Sequence, residues 1–186
     1  MLQFQFDPFP ELFTERLHLR RVLESDVAEI YRLRSDPRVL QYLDRDPCPD
    51  LETARKWIAM VSGLVDNNEA IQWAVSEKDG EKLMGYIGLW RMTPEHHRGE
   101  IGYALLPEYF RKGVMKEALR ETIRYAFSGM KLHSIEAKIS PGNEASIRLV
   151  EGCGFVREGY FREDYFWNGK YHDTLVYSLL EGDFRP

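Results

Sequence analysis

The chain has little cysteine and no excess of basic charge: two cysteines in 186 residues, and a formal net charge of −5. Cys48 and Cys153 lie far apart without CxxC spacing, which argues against a disulfide scaffold and a zinc site and reads as two reduced thiols. A negative balance excludes a general phosphate-backbone binder, which needs a basic stripe, so no nucleic-acid partner is expected. It suits a cationic partner such as an amine or a basic protein tail. No apolar run approaches the roughly 20 residues of a membrane span, so no membrane partner is expected. The opening MLQFQFDPFPELF has neither a basic leader nor a continuous apolar core, and the expected compartment is the cytoplasm. Repeats, low-complexity stretches and dividing linkers are all missing, which leaves one domain over 1–186 with a core of about 13–180, large enough to bury about 70% of its unfolded surface.

The most informative stretch is 100–127, EIGYALLPEYFRKGVMKEALRETIRYAF. It starts as a strand in which Ile101, Tyr103 and Leu105 alternate with Gly102, Ala104 and Leu106, and Pro107 ends the pairing because it has no N–H to give. A helix follows, with Met115, Ala118, Leu119, Thr122, Ile123 and Ala126 on one stripe and Lys116, Arg120, Glu121 and Arg124 pointing away. Between them sits Arg111-Lys112-Gly113-Val114. A strand feeding a helix through such a loop aims backbone N–H groups at the helix N-terminus, where an anion can bind.

The flanking segments supply the remaining layers. Residues 16–22 read as a strand, and Ser25 or Asp26 is placed to cap a helix carrying Val27, Ile30, Tyr31 and Leu33. Asp36-Pro37 ends or breaks that helix. Residues 39–50 read as a loop containing Tyr42 and Leu43, either plugging the core or walling a pocket. A second helix is predicted over 53–65, then strands at 70–77 and 82–92 joined by a turn at Lys78-Asp79-Gly80. His96 and His97 are adjacent, without metal-ligand spacing, and read as turn residues. A strand at 133–139, a short helix over 143–153 and two strands around Asn168-Gly169 complete the chain. This order predicts an α+β fold, a mixed sheet covered by helices.

The run EIGYALLPEYFRKGVMKEAL resembles the Gcn5-related N-acetyltransferase (GNAT) superfamily, in particular its Rim-type ribosomal-protein N-acetyltransferases. The resemblance extends over about residues 13–177. On the family's Gln/Arg-x-x-Gly-x-Gly/Ala signature, Phe110 takes the first position, Gly113 the glycine and Met115 the last, so two of three positions depart. The resemblance implies a GNAT fold: a mixed, mostly antiparallel sheet of six to seven strands flanked by helices, with a splay between the strands at 100–106 and 134–139 that receives the pantetheine arm. It implies acetyl-CoA as acyl donor, no metal, and an amine acceptor, first of all a protein N-terminal α-amine, acted on by a monomer or homodimer. A polyamine or antibiotic amine is the alternative acceptor, and a non-catalytic acyl-CoA-binding module the alternative class.

Acetyl transfer needs a polarised thioester carbonyl, a neutral amine and a stabilised thiolate. Main-chain N–H groups of Leu105 and Leu106 are candidates for the first task. The resemblance places the cofactor on Arg111, Lys112, Gly113, Val114, Met115 and Lys116, together with Asn143 and Ser146. Glu100 matches the Glu of the family's Glu-Ile-Gly-Tyr pattern and is the first candidate base; as a strand-end residue it also reads as a partner for an arginine. A later carboxylate of some Rim relatives aligns with Tyr165, beside Glu163 and Asp164. Ser146 is the candidate proton donor to sulfur, since Val150 stands where many relatives carry a tyrosine. Asn143 and Ser146 also suit plain helix capping.

Overall fold

The computed structural model describes residues 2–185; Met1 and Pro186 lie outside the described residues. Eight strands form one sheet in the order β1 (Leu12–Phe13), β2 (Leu17–Arg21), β3 (Ile71–Glu77), β4 (Gly85–Thr93), β5 (Arg98–Leu105), β6 (Ser134–Ile139), β8 (Lys170–Leu180), β7 (Val156–Trp167). This is one strand beyond the expected six to seven, because two residues of β1 pair with Leu19 and His18 of β2. Neighbours run antiparallel except β5 and β6, which are parallel.

Helices cover both faces. Alternation along β5 sends Ile101 and Leu105 to one side, where they join Ile135, Ala137 and Ile139 under the apolar stripe of α4 (Val114–Ser128). Ala104 and Leu106 face the other side with Ala74 and Tyr86, under α1 (Val27–Ser35) and α3 (Leu51–Asp66). Every predicted stripe residue of α4, from Met115 to Ala126, is buried. Between α1 and α3 lie the short α2 (Pro37–Leu40) and an irregular segment, 41–50. The last helix, α5 (Glu144–Glu151), follows β6.

Local details differ from expectation where tertiary partners compete. Asp26 precedes α1 but does not cap it; its carboxylate is buried, holding Arg20 through two hydrogen bonds of 2.8 and 2.7 Å and accepting the Leu23 N–H. Asp50 accepts the Thr53 N–H at 2.7 Å and starts α3 at Leu51, two residues earlier than the apolar periodicity suggests. The Asn168-Gly169 turn joins β7 and β8 with both residues left-handed (φ 47° and 78°), as a two-residue hairpin requires.

The parallel pair is short. Arg98, Gly99 and Glu100 face Ser134, Ile135 and Glu136, and beyond that point β5 and β6 are not bridged. Next to this parting, Gly102 lies beneath the indole of Trp90; a Cβ there would come within 2.0 Å of the ring. Gly102→Ala is therefore expected to destabilise the fold by about 1–3 kcal/mol. Urea unfolding checks this, and a Trp90→Leu background should absorb most of the loss.

Candidate active site

Where β5 leaves β6, its backbone loses partners on one side. The Leu106 N–H is bonded to the Met84 carbonyl at 2.8 Å, which fixes the phase of the β4–β5 ladder. Residues in step with Leu106 turn their polar groups toward β4, and the alternate residues Tyr103 and Leu105 turn theirs toward the gap. The expectation that Leu106 offers its N–H to a carbonyl is thus corrected: that donor is already used. Leu105 remains, and Tyr103 joins it. Backbone donors withdrawn from a sheet need partners, and this edge has room for an added strand.

The end of β5 leads through a 3-10 turn (Pro107–Tyr109) to the loop before α4. Arg111 and Gly113 are both left-handed (φ 59° and 76°), and Gly113 is the residue at the helix N-cap. The N–H groups of Arg111, Lys112 and Gly113 make no hydrogen bond among the described residues. Those of Val114, Met115 and Lys116 open the first turn, where a helix has no carbonyl to offer. Arg111, Lys112 and Lys116 are exposed around them, whereas the Met115 side chain is buried in the core and contributes main chain only. A residue that local pattern reading missed, Arg16, leans in from before β2: its Nη1 donates to the Lys112 carbonyl at 3.4 Å and its Nη2 pairs with Glu117 at 2.6 Å. The arrangement is an open, cationic N-terminus that fits a diphosphate.

On the α4 face, the first turn of α5 comes up to β5. Asn143 caps α5 by accepting the Ser146 N–H at 3.1 Å, so the capping reading of Asn143 holds in the structure. The Ser146 hydroxyl sits 2.6 Å from that of Tyr103. Burial raises the Tyr103 phenol to about 12, with the Ser146 hydrogen bond acting the other way, so it stays protonated through the neutral range. Val150, at the position of the missing tyrosine, is wholly buried in the core. Tyr103 instead reaches Ser146 from the strand side.

Glu100 points to the opposite face, the one under α1 and α3. It is buried where β5 and β6 part, and its Oε2 lies 3.1 Å from Arg91 Nη1 and 3.6 Å from Lys138 Nζ. Lys138 also lies 3.4 Å from Glu136, which pairs with Arg98. Glu100 is thus ion-paired, and stands three residues, about 10 Å, from Tyr103 along β5. Tyr165 lies further along the gap. Its hydroxyl donates to Asp44 at 2.6 Å and its ring stacks on His172 at 5.2 Å. Burial and then the Asp44 contact push Tyr165 up to about 12, so it can donate a hydrogen bond but cannot serve as a base near neutrality. Glu163 lines the hollow beside it; Asp164, its other neighbour, is not among the lining residues.

Residues 41–46 lie across this face. Tyr42 abuts Gly142, Asp44 holds Tyr165, and Arg45 donates to the Tyr86 hydroxyl on β4. Between this segment and the β7–β8 hairpin is a hollow of about 450 Å³ lined by Tyr42, Asp44, Ser140, Glu163, His172 and Asp173, among others. A second hollow of about 670 Å³ shares Glu163 and Asp173 and continues past Tyr160 and Phe161. Of the two readings open for residues 39–50, the pocket wall describes the segment 41–44.

Comparison with known proteins places this geometry. Residues 16–156 match the acetyltransferase (GNAT) domain model. An uncharacterized N-acetyltransferase of Bacillus subtilis, YoaA, is 34% identical over 93% of this chain and 98% of its own. A ribosomal-protein-S5-alanine acetyltransferase from Vibrio fischeri superposes with a TM-score of 0.79 at 27% identity, over 95% of this chain and all of that one. A spermidine N(1)-acetyltransferase of Vibrio cholerae is 24% identical over 91% of this chain and 95% of its own. The chain belongs to the GNAT acetyltransferase family. It is an N-acetyltransferase of α+β architecture, and among the described residues no three or more His, Cys, Asp or Glu side chains come together as a metal site.

Two substitutions test the donor side. Gly113→Val forces a β-branched residue into a left-handed conformation and should weaken acetyl-CoA binding by at least about tenfold; calorimetry on the folded variant checks it. Tyr103→Phe removes one hydrogen bond to Ser146, and turnover should fall by roughly 2–10-fold with the acetyl-CoA KM unchanged. Steady-state kinetics separate the two effects.

Proposed function

We propose that this enzyme transfers the acetyl group of acetyl-CoA to the α-amine of a protein N-terminus, in the manner of the Rim-type branch. The observation that carries this reading is the groove. Two hollows joined at Glu163 and Asp173 run from the turn after β6 (140–142) and the 41–44 segment out along the exposed β7–β8 hairpin. A long open groove accommodates an extended chain, with the terminal amine at the inner end and following residues lying outward.

In this reading Arg111, Lys112, Gly113, Val114, Met115 and Lys116 hold the diphosphate, with Asn143 alongside the pantetheine arm. Tyr103 and Leu105 offer N–H groups to the thioester oxygen, where developing negative charge gains most from fixed donors. Glu100 accepts the amine proton through intervening water, given its distance from Tyr103. Ser146, oriented by Tyr103, supplies a proton to the departing thiolate. Tyr165 fixes Asp44 at the rim of the acceptor groove, which is a positioning role.

A polyamine acceptor is the second reading, and one observation favours it: Asp44, Glu163 and Asp173 make the groove acidic. Part of that charge is committed within the hairpin. Asp173 accepts from the Tyr160 hydroxyl and from the Glu163 N–H, and those bonds hold its carboxyl below the usual range.

Thiol release from acetyl-CoA discriminates the readings. Short peptides with a free N-terminal serine or alanine should exceed spermidine in kcat/KM by at least about tenfold, a difference the extra contacts of an extended chain readily supply; the reverse order would establish the polyamine reading. With the better acceptor, Glu100→Gln should cut turnover by about 10²–10⁴-fold, the deficit shrinking as pH rises and more free amine is available. A loss below about tenfold with an unchanged pH profile would assign Glu100 to tying β5 and β6 together.

A further inference from the structure

Two arginines on the acceptor face have no counter-charge. Arg34, near the end of α1, and Arg45, in the 41–46 segment, are without a carboxylate within 4.0 Å among the described residues, whereas Arg32 and Arg38 on either side pair with Glu108 and Asp36. Arg34 Nη1 is shielded from solvent and has no hydrogen-bond partner. Its guanidinium lies over Trp57, 4.8 Å from the ring centroid, and Trp57 packs on Tyr86 at 5.1 Å. Arg45 Nη1 donates to the Tyr86 hydroxyl at 3.5 Å. Burial, the larger effect, and the charge of Arg45 push the Arg34 guanidinium below its ordinary value.

Arg34 is half-buried, and an N–H shielded from water without a partner costs free energy until one arrives. A guanidinium held over an indole is contacted on its face, and its N–H edge is what meets a carboxylate with two parallel bonds. The position is one strand away from the gap. Tyr86 faces Ala104 across the β4–β5 pair, one residue before Leu105, and Ala104 raises only a methyl between them and the gap. The 41–46 segment thus carries a carboxylate, Asp44, to Tyr165 on β7 and a guanidinium, Arg45, to Tyr86 on β4.

We propose that Arg34, Arg45 and the Tyr86 hydroxyl form an anion subsite that takes a carboxylate of the acceptor, next to the amine that is acetylated. This rests on the reading of the α1/α3 face as the side from which the acceptor enters and sharpens it: the acceptor carries both an amine and an acid, which a polyamine does not. The acid is either a side chain near the peptide N-terminus or an α-carboxylate, and both present the same two oxygens.

Two experiments test it, one independent of catalysis. Calorimetric titration with glutarate, with CoA present to fill the cationic loop, should show binding that neutral glutaramide does not, and Arg45→Gln should weaken it by at least about tenfold. Arg45 is partly exposed on an irregular segment, so this variant should fold, and Arg34→Lys gives a second reading with charge kept but the planar fork lost. In the kinetic arm, Ser-Glu-amide should exceed Ser-Gln-amide in kcat/KM by about tenfold if a side-chain carboxylate is read, or serine should exceed serinamide if an α-carboxylate is read. Either ratio should fall toward one in Arg45→Gln. Glutarate binding that is absent, or equal in the variant, overturns the proposal, as do kinetic ratios of one in both pairs. Arg45-dependent glutarate binding in a protein that acetylates no peptide supports the subsite and places the failure with the N-terminal acceptor.

Discussion

Everything at this site depends on β5 and β6 pairing for three residues and then separating. Here the sheet opens while both strands still run, leaving the Tyr103 and Leu105 N–H groups directed at a gap. Charge pins the vertex: Glu100 and Glu136, side by side on adjacent strands, would repel if Arg91, Arg98 and Lys138 did not lie among them. The Glu100 carboxylate therefore holds the strands at the vertex while facing the α1/α3 side.

The gap divides the chemistry by face. Strand alternation puts Tyr103 with Ser146 and the α4 loop on one side, and Glu100 with the 41–46 segment on the other. A donor and an acceptor approaching from opposite faces meet only in the opening, where fixed N–H groups are available. Tyr103 adds a point about substitution within a family. With Val150 packed into the core, the phenol that meets the Ser146 hydroxyl comes from a strand, as Tyr103, rather than from a helix.

Features carried by local period were legible in the sequence. The stripe from Met115 to Ala126, the glycine at 113 and the Asn168-Gly169 turn each follow from spacing or from a left-handed backbone that glycine tolerates. Features set by register or by distant partners were not. Its place at the splay makes Leu106 a candidate beside Leu105, but only the phase of the β4–β5 ladder reveals that Met84 uses its N–H. Asp26 looked like a cap until Arg20 took its carboxylate. The Tyr103–Ser146 and Asp44–Tyr165 contacts span 43 and 121 residues, and no local pattern encodes either. Arg34 and Arg45 are ordinary surface residues by sequence; only packing on Trp57 and Tyr86 marks them.

The central claim is that the open backbone edge of β5 is completed by the acyl donor. Amide hydrogen exchange, read residue by residue with and without CoA, tests it directly. Binding should slow exchange at Tyr103 and Leu105 together with Gly113 and Val114, and leave Leu106 as it was, since Met84 already protects it. Slowing at the α4 loop with no change at Tyr103 and Leu105 would contradict the account, because the donor would then bind without entering the gap.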